Sequence, residues 1–185
     1  MEPLLSAVIC GCNAELHHEA LHEVYVPRIQ RGNTCFAASV LGVRGALLSV
    51  LAHFFEQGCW GSPVQTGGEE HSLTAEDQPY ILMQTGLYLT ATRGMAAPET
   101  KIFYERVESL GHSLNRPLLL YFGLVGQWRY SNTIGKLSAA LQIAKRVYSL
   151  AQERNDSELM VGAYRSLAVT LLPWRFRDCT PIRDP

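Results

Sequence analysis

One recurring spacing constrains this chain more than any other feature. Leu82, Gly86 and Leu89 stand at offsets 0, 4 and 7, and Tyr164, Ala168 and Leu171 repeat that set before the pattern breaks off. Such offsets mark a single helix face. Gly135, Ala140, Ala144 and Val147 carry the pattern expected of a partner helix. Recurrent helix pairs stack on one another, and such stacks display surfaces for partners more often than they perform chemistry.

Composition agrees with a packed helical stack. The 185 residues are 47% hydrophobic and 18% charged, enough to bury a core and too apolar for a disordered tail. A formal net charge of −1 argues against a dedicated nucleic-acid binder. There is no apolar run long enough to span a membrane, and the N-terminus lacks the basic start of a signal peptide. The five cysteines, Cys10, Cys12, Cys35, Cys59 and Cys179, are odd in number and irregularly spaced. That usage suits reduced thiols in a cytoplasm.

Helix signals run through the chain. Asn13 caps a first helix that Pro27 limits, and Asn33 opens a long helix to about Gln57. Its stripe is Val40, Val43, Leu47, Leu51 and Phe54, with Gly42, Gly45 and Ala46 small enough for a neighbouring helix to approach. Residues 58–73 are rich in Gly, Ser and Pro and read as a loop. Thr74 or Asp77 caps the next helix, Asp77 being the better because it places Pro79 in the first turn. That helix ends near Gly94, Pro98 opens one to about Ser113, and Pro117 opens another, with Leu119, Gly123 and Gly126 as a weak copy of the spacing. Gly135 then precedes a helix facing inward through Leu137, Leu141, Ala144, Tyr148 and Ala151. Asn155 with Glu158 signals a capping box for the last helix, whose inner face is Met160, Ala163, Tyr164, Leu167 and Leu171. No segment alternates with period two. The expected fold is all-α: N-terminal helices as a degenerate repeat over 1–57, a loop over 58–73, helix pairs over 74–172 and an irregular tail over 173–185.

The stretches EALHEVYVPRIQRGN (19–33), LGVRGALLSVLAHFFEQG (41–58), LTAEDQPYILMQTGLYLTATRGMAAPE (73–99) and LQIAKRVYSLAQERNDSELMVGAYRSLAVTL (141–171) resemble the tetratricopeptide-repeat region of large bacterial signalling ATPases. Those proteins often also carry a class III cyclase domain or a winged-helix domain. The resemblance implies tandem antiparallel helix hairpins in a right-handed superhelical stack. It implies a cytoplasmic, non-enzymatic module, with a protein or peptide or the ATPase module of a parent protein as partner, and neither nucleic acid nor membrane. The family pattern calls for a further turn and helix after Leu172, where the sequence reads PWRFRDCTPIRDP. One coding of that tail, shifted by a base, reads HGDFETAPQYA, so the chain is expected to be a frameshifted fragment of a longer repeat protein. An uncapped last repeat would expose Leu167 and Leu171 and drive self-association.

Few motifs carry chemistry. Gly135-Lys136 is followed by Leu137 and preceded by Tyr130 at the first glycine position, so no P-loop is present. His18-Glu19-Ala20-Leu21-His22 matches H-E-x-x-H, in which two histidines on one helix face bind zinc and the glutamate activates its water. The extended form of that motif would need Gly and His where Tyr25 and Arg28 stand, and a third ligand would have to come from Glu56 or His53. A small zinc-dependent hydrolase is therefore the alternative reading, and solvated surface histidines the plainer one. Cys10-x-Cys12 beside His17, His18 and His22 has tighter spacing than zinc sites use, and free thiols suit it better. Glu69-Glu70 and Glu76-Asp77 read as solvated charges. Gln84, Tyr88, Tyr121, Gln127, Trp128 and Arg165 are partner-contact residue types on the inner helices. Tyr121 and Trp128 suit a core equally well. No catalytic, cofactor-binding or metal residue is assigned from sequence.

Overall fold

The computed structural model describes residues 1–32, 36–56, 60, 64 and 72–177, with side chains as far as Leu172. Among the described residues the chain is all-helical, without a strand. No described helix is long and apolar enough to cross a membrane. The chain divides into two compact units, Met1–Gly94 and Met95–Pro185. The expected boundary at 58–73 falls inside the first unit, and most of that loop lies outside the described residues.

The first unit contains α1 (Glu2–Asn13), α2 (His17–Glu19) running on as a π-helix (Ala20–Gln30), α3 (Phe36–Ser39), α4 (Arg44–Leu51) with a 3₁₀ turn (Ala52–Phe54), and α5 (Asp77–Arg93). Its core is Val8, Leu21, Tyr25, Ile29, Leu47, Leu51, Phe54, Ile81, Leu82 and Leu89, all buried. Gln30, fully buried, donates from Nε2 to the hydroxyls of both Tyr25 (2.9 Å) and Tyr88 (2.8 Å).

Several expectations for this unit need correction. The helix does not stop at Pro27; it continues to Gln30, where Arg31 takes a left-handed conformation at φ 54°. An α-turn would push the proline ring against the carbonyl four residues back, and the wider π-turn relieves that clash. The long helix from Asn33 to Gln57 is broken: α3 ends at Ser39 and Gly42 turns the chain at φ +66° before α4 begins. Leu47, Leu51 and Phe54 are buried as expected, whereas Val40 is 66% exposed. Nothing approaches the Cβ positions of Gly42 and Gly45, and Ala46 is exposed, so they receive no neighbouring helix. Asn33 lies outside the described residues. Neither Thr74 nor Asp77 is the cap: Glu76 precedes the helix without a side-chain cap bond, and Asp77, its first residue, accepts at Oδ2 from the Thr74 backbone N–H at 2.9 Å.

Among its described residues the second unit is four helices, α6 (Pro98–Ser113), α7 (Pro117–Thr133), α8 (Leu137–Arg154) and α9 (Ser157–Arg177), each packed on its neighbours in sequence. Short connections make consecutive helices antiparallel. Pro98 and Pro117 open their helices, as expected, and Gly135 turns the chain at φ 75°. Here a repeat becomes measurable. Buried Thr100, Tyr104, Val107 and Gly111 on α6 recur 40 residues on as buried Ala140, Ala144, Val147 and Ala151 on α8. The left-handed turn residues Asn115 (φ 49°) and Asn155 (φ 50°) keep the same interval.

Asp156, not Asn155, caps α9: its Oδ1 accepts from the backbone N–H of Glu158 at 2.9 Å and of Leu159 at 3.2 Å. A residue in the left-handed turn that closes α8 cannot also present its side chain to the next helix, so the cap moves one place on. On α8 the fully buried residues are Ala140, Ala144, Val147 and Ala151, while Leu137, Leu141 and Tyr148 are half-buried. The weak copy at Leu119, Gly123 and Gly126 is wholly buried against α6. On α9 the inner residues are Ala163, Ser166 and Thr170, whereas Tyr164 is 56% and Leu171 48% exposed. Forty residues earlier, the equivalents Leu124, Trp128 and Ser131 are buried, and α8 covers the first two through Val147, Ala151, Ala140 and Ala144. No described helix covers the matching face of α9. The irregular tail begins later than 173, because α9 continues through Pro173 to Arg177. A single missing donor costs about 3 kcal/mol locally and need not end a helix.

Candidate functional site

Two places gather functional side chains, one in each unit. In the second unit α7 and α9 enclose a cavity of about 430 Å³. Its lining includes buried Trp128 and Ser166, half-buried Tyr121, Val125 and Gly162, and exposed Arg129 and Arg165. Gly162 lets α7 and α9 meet, since a Cβ there would lie 2.0 Å from the Tyr121 hydroxyl. That hydroxyl donates to the Leu159 carbonyl at 3.2 Å. Burial, and secondly the Asp156 charge, push its pKa up. Trp128 is fixed through Nε1, which donates to Thr170 Oγ1 at 2.8 Å. Arg129 and Arg165 are exposed and have no ion-pair partner among the described residues. A cavity lined by aromatic side chains and by two guanidiniums without an ion-pair partner among the described residues can hold an apolar group next to a carboxylate.

Of the six partner-contact residues expected from sequence, the structure brings Tyr121, Trp128 and Arg165 together here. The others do different work. Tyr88 is core, bonded to Gln30. Gln127 donates to Glu108 Oε2 at 2.5 Å and to the Tyr104 carbonyl at 3.3 Å, tying α7 to α6. Gln84 is half-buried on α5 in the first unit. Sequence reasoning passed over Arg129, whose spacing one turn from Val125 placed it on the same helix face as Tyr121.

The second place is the H-E-x-x-H segment. His18 and His22 share a helix face, with ring centroids 4.4 Å apart and planes inclined by 35°. His18, His22 and Asp77 each bring a ligand atom within 4.8 Å of the others. His22 Nε2 lies 2.8 Å from Asp77 Oδ1. Asp77 Oδ2 accepts from the Thr74 N–H at 2.9 Å and its hydroxyl at 2.8 Å. Burial works against the Asp77 charge, but the Thr74 hydrogen bonds and His22 outweigh it and hold the carboxyl below its usual range. The third potential ligand is thus Asp77, from a residue pair expected to be mere solvated charge. Neither Glu56 nor His53 joins the cluster, and Glu19 lies outside it as well.

Among the described residues Cys10 and Cys12 join no metal cluster either. Cys10 is exposed, and burial pushes the Cys12 thiol up to about 12. His17 is buried against the Phe54 ring. Cys35, Cys59, Cys179, Glu69 and Glu70 lie outside the described residues. Compared with family models, with curated proteins and with solved structures, the chain matches none.

Proposed function

We propose that this chain is a non-enzymatic, tetratricopeptide-like interaction or regulatory module that holds a protein or peptide segment between α7 and α9. The observation that carries the reading is the cavity of about 430 Å³, where Tyr121, Trp128, Arg129 and Arg165 converge. Aromatic and arginine side chains are the residue types that anchor protein interfaces. A segment with an apolar side chain beside an acidic one fits these groups. The 40-residue recurrence of buried positions supports a helical repeat, with a unit longer than the 34-residue tetratricopeptide. On this reading the setting is a cytoplasmic signalling protein, and the ATPase module of a larger relative is one source of the bound segment.

Selection from a displayed random-peptide library on the purified chain tests this. Enriched peptides should pair an apolar with an acidic residue. Arg129→Ala and Arg165→Ala should each weaken them about 30-fold, the size of a hot-spot contact. Gly162→Leu, which fills the cavity, should abolish binding. Absence of enrichment, or peptides indifferent to all three substitutions, would overturn the reading.

A further inference from the structure

We propose that His18, His22 and Asp77 bind one divalent transition-metal ion of the zinc class, and that the ion clasps the helix carrying the histidines to the first turn of α5. Two imidazole nitrogens and one carboxylate oxygen suit zinc, cobalt or nickel, whereas calcium and magnesium take oxygen ligands. The three ligand atoms already lie within 4.8 Å of one another. A tetrahedral ion with bonds of about 2.0–2.2 Å sets its ligand atoms about 3.3 Å apart. His22 Nε2 and Asp77 Oδ1 stand at 2.8 Å, so a small opening of this pair admits the ion. Rotation of the imidazoles makes up the rest, and both rings reach solvent.

The carboxylate is prepared for the role. Thr74 holds Asp77 Oδ2 with two hydrogen bonds and leaves Oδ1 to face the histidines. Outer hydrogen bonds of this kind orient a ligating group and raise affinity. The Asp77 side chain is 9% exposed and that of His22 43%, so an ion enters from the histidine side onto a fixed carboxylate. Water completes the fourth position. Glu19 supplies none of the three ligand atoms. The ion ties residues 55 apart in sequence. The binding free energy of such a tie adds to the stability of the folded state.

The full chain, stripped with chelator and desalted, is titrated with Co²⁺ and then Zn²⁺ while visible absorption and the thermal midpoint are followed. One Co²⁺ per chain should give the intense spectrum of a four-coordinate site, displaced by Zn²⁺, and either metal should raise the midpoint. Thr74→Val should weaken binding about 10- to 100-fold. Asp77→Asn should weaken it at least as much and remove the rise in midpoint. His18→Gln, at a partly exposed ring, gives the same readout should the Asp77 variant lose helicity. No saturable uptake, uptake unchanged in Asp77→Asn and His18→Gln, or uptake without a rise in midpoint would each overturn the proposal.

Discussion

At the scale of single residues, the sharpest consequences come from polar groups placed inside. Gln30 is fully buried and its amide serves two tyrosine hydroxyls. Gln30→Leu removes the amide donor from both phenol oxygens and should cost about 1–3 kcal/mol in chemical denaturation. Tyr88→Phe removes one partner only and should cost less. Burial also separates the two neighbouring thiols. With its thiol held near 12, Cys12 is protonated throughout the neutral range, and the thiolate is the reactive form. Alkylation at pH 8 and subsequent peptide mapping should label exposed Cys10 and spare Cys12; equal labelling would contradict the described packing. Such residues show how far sequence reaches at this scale. The histidine pair at 18 and 22 was legible because helix geometry makes offset four a shared face. Asp77 was not, because its place beside His22 depends on how α5 meets a helix 55 residues away. Gln30 gave no signal, since an isolated glutamine after a proline reads as a helix end.

At the scale of elements, glycine decides how closely helices pack. A Cβ on Gly123 would stand 2.6 Å from the Glu108 backbone nitrogen, and one on Gly126 within 2.4 Å of the Tyr104 ring. Gly123→Ala meets main chain, so α6 and α7 must separate, and a loss of about 1–3 kcal/mol in thermal or urea unfolding is expected. Gly162→Ala meets only the end of the Tyr121 side chain, so it should be tolerated better. A reversed order of these two effects would mean that the helices are not packed as described. Helix boundaries in the second unit were largely readable, because Pro98, Pro117 and Gly135 act through the backbone alone. In the first unit they were not. Pro27 is absorbed by a π-helix, and the chain breaks at Gly42 with no proline to announce it.

At the scale of the whole molecule, no described helix covers the outer face of α9. Val161, Tyr164, Leu171 and Leu172 are each about half exposed or more. Tyr164 stands 40 residues on from Leu124, which α8 covers on α7. Apolar surface of this kind favours association, so the weight-average mass from light scattering should rise with protein concentration. Tyr164→Lys together with Leu171→Lys should suppress that rise, and a wild-type chain monodisperse at all concentrations would sink the expectation. The spacing alone reads Tyr164 and Leu171 as an inner face, and only the expectation of an uncapped last repeat exposes Leu171, because burial depends on whether another helix packs against that face. The left-handed asparagines at 115 and 155 carry a different consequence. Each closes one helix just before the next begins, so together they bracket α7 and α8 as a cassette. A gene duplication with breakpoints at these two codons would insert another hairpin whose buried positions already match those on either side. A chain built this way can grow or shrink by whole units over evolutionary time while its existing packing stays unchanged.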